Sequence, residues 1–267
     1  MRIVFSRKGF DSVAGGCPSP IRDGRPIGLP IPARGRSATR FADLGMGELV
    51  EALTAGAVTG STLCHRDPDL ERGAFGQTGA AQSHLANEGV REGDVFLFFG
   101  LFRELDPKAR PPRFDRRARP HHRLFGWLRI GRILRLGADG SWARTRFPAL
   151  ARHPHLGPGW NANNTLYLAS AELGLPGTAL PGFGLARRAS PRLRLSVEGG
   201  PPSLWSVPAW LDPSRGGVGL SYHRSAERWS DGHCRVVARG QEFVAEVGDR
   251  ADARDWLLST IAAMAEG

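Results

Sequence analysis

The sequence predicts an α+β fold on a curved, mostly antiparallel sheet with a few helices. Three observations predict it. Gly (35) and Pro (20) make up about a fifth of the 267 residues, which disfavours a helix bundle and suits loops and short strands. Two apolar runs of strand length, 94–100 and 124–136, read as central buried strands. Strand and helix patterns follow each other without regular alternation, which argues against a doubly wound parallel sheet. Hydrophobic residues at 41% and charged residues at 23% are ordinary for a globular chain. The length allows a core without disulfides or metal. The chain reads as one domain, 1–267, with a basic loop insert at about 103–122.

Residues 2–6 form the first strand, with Ile3, Val4 and Phe5 buried. Residues 6–26 read as loop, because Gly9, Gly15, Gly16, Pro18, Pro20 and Gly24 do not suit an element interior. Residues 27–31 suggest a second strand, closed by Pro32, and 33–40 a polar link. Leu44, Leu49, Val50 and Leu53 space as one helix face, ending at Gly56. Residues 57–76 are irregular and carry His65, Asp67 and Asp69. Residues 78–88 form a helix with Ala80, Ala81 and Leu85 inward and Gly89 as its stop. After the 94–100 strand, 103–122 is basic, proline-rich and mobile. In 124–136, Gly126 and Gly131 allow a bulge or a close backbone approach. Residues 165–169 are a short strand and 174–191 a loop. Further strands are expected at 193–197, 204–207, 218–222, 233–238 and 242–247. A terminal helix spans 251–265, with Trp256, Leu257, Ile261 and Met264 as its apolar side.

The net charge is +10, and all of it lies in one stretch. Residues 103–152 hold thirteen arginines and Lys108 against Glu104, Asp106, Asp115 and Asp139. One basic block on an otherwise neutral chain suggests a polyanion partner, nucleic acid first. A solvated arginine-rich loop is the bland alternative. The three cysteines, Cys17, Cys64 and Cys234, build no disulfide framework, so a reducing cytoplasm is expected. The opening MRIVFSRKGF has an apolar run of three residues, too short for a signal peptide. No stretch approaches the ~18 apolar residues of a membrane span, so no membrane partner is expected.

P-loop, Rossmann, GxSxG and HExxH motifs are absent. Cys64-His65 and His233-Cys234 do not make a zinc site, since adjacent residues of an extended chain face opposite sides. His153-Pro-His155 and His121-His122 read as exposed loop histidines. Asp67-Pro-Asp69 has a DxD spacing that suits a hard cation, yet Asp before a turn is a common cap. No metal and no cofactor is assigned.

Three polar constellations remain. The first follows the first strand: Ser6-Arg7-Lys8-Gly9-Phe10-Asp11-Ser12, then Ser19 and Asp23. Backbone N–H groups and cations in such a loop can converge on an anion, with Arg7 and Lys8 as phosphate ligands. Asp11 equally suits a cap on its own turn. In the second, Gln77, Ala81 and His84 would lie along one helix stripe, where a flat base fits between amide and imidazole. The alternative is a packed helix with a buried histidine. The third, Trp160 to Tyr167, carries Asn163 and Asn164, which serve either as a turn or as readers of a base edge.

These residues carry a resemblance. FSRKGFDS with GGCPSPI, HRDPDL, FGQTGAAQSHL, GDVFLFFGLFR, LFGWLRIGRIL and NNTLYLAS occur in this order over about 1–170. GQEFV and the terminal tryptophan helix extend the match. The chain resembles the third type of nucleotide-modification-associated domain. The resemblance implies work alongside enzymes that hypermodify DNA bases in phages and bacteria, and it brings no catalytic set with it. The positions most like the family pattern are Arg7, Lys8, Asp11, Ser19, Asp23, His65, Asp67, Asp69, Gln77, Gln82, His84, Asn163 and Asn164. A second, structural resemblance is to the strand pair of PUA-like barrels that grip flipped bases, through Gly93-Asp94 and GWLRIGRIL.

Three expectations follow. The first is a base-modification enzyme or its accessory, acting on DNA or a nucleotide, with other modification enzymes as partners. Asp11, His65 and His84 are then the candidate catalytic groups. Ser19, Asp23, Asp67, Asp69, Gln77, Gln82, Asn163 and Asn164 join Arg7 and Lys8 around the substrate. Arg103, Arg116, Arg117 and Arg119 face nucleic acid. The second is a non-catalytic reader of a flipped modified base. A plain small-nucleotide binder is the third alternative. Arg7, Lys8, Asp11 and His84 are expected in one pocket.

Overall fold

The computed structural model describes residues 1–33, 35–237 and 242–266. Its elements, in chain order, are β1 (Arg2–Arg7), β2 (Ser19–Arg22), β3 (Arg25–Pro26), α1 (Gly47–Leu53), β4 (Ala74–Gln77), α2 (Gly79–Asn87), β5 (Val95–Glu104), β6 (His121–Arg135), α3 (Trp142–Arg146), β7 (Thr165–Ala169), β8 (Phe183–Leu185), β9 (Leu204–Ser206), β10 (Trp229–Ser230), β11 (His233–Arg235), β12 (Glu242–Glu246) and α4 (Ala251–Ala265). The architecture is α+β. A large mixed sheet runs β12-β1-β5-β6-β7-β4, and a small antiparallel sheet runs β10-β11-β9. In the large sheet β1 and β2 lie parallel to β5, and its other pairs are antiparallel. Among the described residues no strand pair closes a barrel, so the PUA-like core is not borne out. No helix among them is long and apolar enough to cross a membrane.

Period-two side-chain alternation sorts the apolar run of β5 into two cores. Val95, Leu97 and Phe99 join Ile3 and Phe5 of β1 on one face, under Leu257, Ile261 and Met264 of α4 and the indole of Trp205. Phe96, Phe98 and Phe102 join Val4 on the other face, with Phe75, Leu85 and Tyr167. Both faces are covered, so a continuous apolar run is what this strand requires. Leu257 and Ile261 are fully buried, and each such side chain is worth about 1.5–3 kcal/mol of burial.

β6 is long enough to serve two partners. Its first half pairs with β5, and its second half pairs with β7 after a register shift between Ile130 and Arg132. Gly131 permits the shift, since a Cβ there would lie 2.6 Å from the Ser170 amide nitrogen. Through this bend β6 carries the sheet on to β7 and β4, which bear the cleft.

Several expectations change. The 6–26 stretch is not all loop: β2 takes over the edge of β5 where β1 leaves it, with Ser19 opposite Phe102. Asp23 and Gly24, both at positive φ, turn β2 into β3, the two-residue Asp-Gly hairpin. Residues 27–31 carry no strand, and β4 begins inside the 57–76 segment expected to be irregular. No strand forms at 193–197 or 218–222. The basic 103–122 stretch begins in β5 and ends in β6. Its loop is tied by a bridge between Leu105 and Phe114 and by an Asp115 N–H bond to the Glu104 carbonyl. His121 and His122 are buried in β6 rather than exposed. Of the 233–238 strand, 233–235 is formed, and Ala238 lies outside the described residues. So does Gln241 of the GQEFV motif.

Candidate functional site

A cleft of about 520 Å³ opens where the β1 exit, the 65–67 segment, the end of β4 and the His155–Trp160 turn meet. Its lining includes Arg7, Lys8, Asp11, His65, Asp67, Gly76, Gln77, His155 and Trp160. The volume lies within the range of small-ligand pockets.

Asp67 is the centre of its floor. The carboxylate is 4% exposed and is faced by three imidazoles. Its Oδ1 accepts the Gly76 N–H at 2.8 Å and faces His153 Nε2 at 3.2 Å. His153 Nδ1 accepts the His155 N–H, so the His153 ring proton sits on Nε2, toward Asp67. The other carboxylate oxygen, Oδ2, faces His65 Nε2 at 3.7 Å and His155 Nε2 at 3.8 Å. Burial alone would raise the Asp67 pKa. The His153 and His65 imidazoles that face the carboxylate outweigh it and hold the carboxyl well below the usual range.

His155 is fixed by Asn164. The Asn164 Nδ2 donates to the His155 carbonyl at 3.1 Å, so its Oδ1 is the atom 2.6 Å from His155 Nδ1. Nδ1 therefore carries the proton, and Nε2 turns a lone pair to the cleft. Burial pushes the His155 pKa down to about 4, against the pull of Asp67. The ring lies flat on Trp160, 4.2 Å between centroids and 8° from parallel. Gly76 makes room for it, since a Cβ there would lie 2.3 Å from the ring. His65, Asp67 and His155 each present one donor atom, all within 4.8 Å of one another.

The same lining carries two cations, each with a carboxylate nearby. Lys8 Nζ pairs with Glu242 Oε1 at 2.8 Å and lies 4.5 Å from the Phe75 ring centroid. Gln77 Nε2 donates to the same Glu242 oxygen at 2.6 Å. Arg7 donates to the Val237 carbonyl and lies over the Phe99 and Phe243 rings. Burial lowers its pKa, opposed by Asp11.

The structure gathers Arg7, Lys8, Asp11, His65, Asp67 and Gln77 as expected. Asp11, however, accepts the Val13 and Ala14 N–H groups and so braces its own turn. His84 is not among the cleft-lining residues: it stacks on Tyr222 and pairs with Ser221 Oγ. The expected stripe from Gln77 to His84 is broken because Gln77 ends β4 and Thr78, with extended backbone, precedes α2. The remaining residues brace the frame. Ser19 Oγ accepts the Leu29 N–H, and Gln82 accepts the Tyr167 hydroxyl. Asp69 pairs with Arg66 and Arg72, away from Asp67. Asp23 makes the β2–β3 turn. Asn163 accepts the Gly79 N–H and donates to the Gly79 carbonyl at the start of α2. In the basic block, Arg103 donates to the Asp115 carbonyl and Arg119 to the Gly199 carbonyl, while Arg116 and Arg117 are exposed. His153 and His155 are buried, not loop histidines in solvent. They, Trp160 and Glu242 are the site residues that sequence reasoning assigned no role.

No curated protein and no solved structure matches the chain. The family model described as nucleotide modification associated domain 3 matches residues 2–246, nearly the whole chain. With that match over both the cleft and the sheet that carries it, the chain belongs to the nucleotide modification associated domain 3 family.

Proposed function

We propose that this chain modifies a nucleotide base, in DNA or as a nucleotide, held in the cleft beside Asp67. Membership in a nucleotide-modification family sets the context. The observation that carries the reading is the buried Asp67 carboxylate among three imidazoles, in one cleft with Arg7 and Lys8. Burying such a group is costly, and strongly shifted titratable groups gather where chemistry is done. Arg7 and Lys8 are the cations that would hold a phosphate, Lys8 in exchange for its pairing with Glu242. His65, whose side chain is 19% exposed, is the imidazole of the cluster most open to a bound base and takes the acid–base role. Asp11 and His84 lose that role, the first to its turn and the second to Ser221.

A reader of flipped bases would be expected to line its pocket with an aromatic cage. Here Trp160 is the one Trp, Tyr or Phe in the lining, and one of its faces is already covered by His155. The enzyme reading therefore leads. Mass spectrometry of nucleosides from DNA of cells with and without the chain tests it. A modified nucleoside should appear with the wild type and fall by about 100-fold or more with His65→Ala, a usual size for losing a general acid or base. Undiminished product from a folded His65→Ala variant would refute the assignment. Base binding without product would move the chain to the reader class.

A further inference from the structure

We propose that His65, Asp67 and His155 bind one divalent transition-metal ion on the floor of the cleft, through His65 Nε2, Asp67 Oδ2 and His155 Nε2. The inference stands on the geometry of this cluster: with the ion bound, His65 would be a ligand and its acid–base role would pass to the water on the metal, while the nucleotide reading itself can hold or fail independently.

Three observations converge. The first is spacing. The two imidazole nitrogens lie 3.7 and 3.8 Å from the same carboxylate oxygen. Donors at ~2.0–2.2 Å from a common ion sit roughly 3.0–3.4 Å apart when adjacent. These two distances need to close by only a few tenths of an ångström, and all three donor atoms already lie within 4.8 Å of one another. The second is the division of the carboxylate. Oδ1 is occupied by the Gly76 N–H and faced by His153 Nε2, while Oδ2 is left to His65 and His155. Outer groups that hold a ligating carboxylate in this way are usual around bound metals.

The third observation is independent of the other two. Asn164 donates to the His155 carbonyl, so its oxygen must take the proton of His155 Nδ1. This leaves a bare lone pair on Nε2 of a ring that is 2% exposed, aimed at a carboxylate oxygen. Two lone pairs facing each other in a buried site repel. A proton on Nε2 would find no hydrogen bond there, since 3.8 Å to Asp67 Oδ2 is too long for one. A metal cation relieves the repulsion directly. An imidazole ligand whose other ring nitrogen donates to a carbonyl oxygen is the usual arrangement.

Two imidazoles and one carboxylate suit zinc, iron, cobalt or manganese in the divalent state better than calcium or magnesium, which prefer oxygen donors alone. Three protein donors also leave coordination positions facing the cleft. A water molecule or a substrate oxygen would take them, so the ion would serve as a Lewis acid beside the bound nucleotide. The Asp67-Pro-Asp69 spacing does not make this site, because Asp69 turns to Arg66 and Arg72.

The test uses the full chain without a histidine tag, stripped by a chelator and titrated anaerobically with Zn²⁺, Co²⁺, Mn²⁺ and Fe²⁺. One equivalent of at least one ion should bind against a competing chromophoric chelator. His65→Ala should weaken that binding by about 100-fold, at or beyond the upper end of what loss of an outer partner costs, and Asp69→Asn should leave it unchanged. X-ray absorption on the wild type loaded with zinc or cobalt needs no variant, and it should show two imidazoles at about 2.0–2.1 Å. Failure of all four ions to bind stoichiometrically, fewer than two imidazoles around the ion, or unweakened binding by a folded His65→Ala variant would overturn the proposal.

Discussion

Asn164→Ala probes the frame of the cleft most directly. The side chain is fully buried and makes both of its bonds to one residue, 2.6 Å to His155 Nδ1 and 3.1 Å from its own Nδ2 to the His155 carbonyl. Truncation strands a ring N–H and a carbonyl in a site with little room for water. An unpartnered buried group costs about 1–3 kcal/mol, so the pair should cost about 2–5 kcal/mol. Asn164→Asp separates the two bonds, since a carboxylate accepts from Nδ1 but cannot donate to the carbonyl. It should restore part of the ring contact and leave the carbonyl stranded. Urea unfolding followed by tryptophan fluorescence measures both, and Trp160, stacked on His155, reports on the site itself. If Asn164→Ala unfolds within about 0.5 kcal/mol of the wild type, as a neutral surface change would, Asn164 does not hold His155. The proton on His155 Nδ1 is then not set by Asn164.

Three further outcomes are expected. His122 accepts the Trp205 indole N–H, and burial, aided by Arg7 and His121, holds its pKa down to about 3. A histidine depressed in the fold binds its proton more readily unfolded, so its stability contribution is complete above about pH 6.5 and lost as pH falls toward 3. Between pH 6.5 and 4.5 the wild type should lose about 2–3 kcal/mol more than His122→Gln, at about 1.4 kcal/mol per pH unit; parallel pH profiles in urea unfolding would refute this. DNA affinity should fall with salt, and replacing Arg116, Arg117 and Arg119 by Gln should flatten the plot of log K against log salt by up to about 3, near 0.9 for each phosphate that is no longer neutralised. An unchanged slope would refute the expectation that the basic loop faces DNA. His84→Gln should keep the modified nucleoside and cost no more than about 1.5 kcal/mol in urea unfolding, the size of one ordinary hydrogen bond. Loss of product from a stable His84→Gln protein would return His84 to the site.

Where the sequence was readable, burial on two sides or on one stripe made it so. The 94–100 run is apolar on both strand faces, and β5 is buried on both. The terminal helix shows its stripe at Leu257, Ile261 and Met264, and α4 spans Ala251–Ala265 as expected. Short strands left no such mark. β4 has four residues and β3 two, fewer than an alternation needs to show itself. Both stand on partners far along the chain, β4 on β7 and β2–β3 on β5. Asp23-Gly24 did carry a hairpin signal, but the glycines and prolines around it read as unbroken loop.

The cleft was half legible. On an extended chain, neighbours face opposite sides, and this correctly separates Cys64 from His65. Cys64 is buried beside Phe10 and Phe41, and His65 lines the cleft. The same period of two puts His65 and Asp67 on one side, and a His-x-His pair at 153 and 155 can likewise converge. The cluster was therefore present in the sequence as two local pairs. What no spacing could supply was their meeting. It depends on Gly76, whose missing side chain admits the His155 ring, and on Asn164, which turns that ring toward Asp67. Neither residue type signals histidine chemistry, since one works by absence and the other by holding a tautomer. Substituting Gly76 with Ala would thus disturb the cluster as directly as changing a histidine.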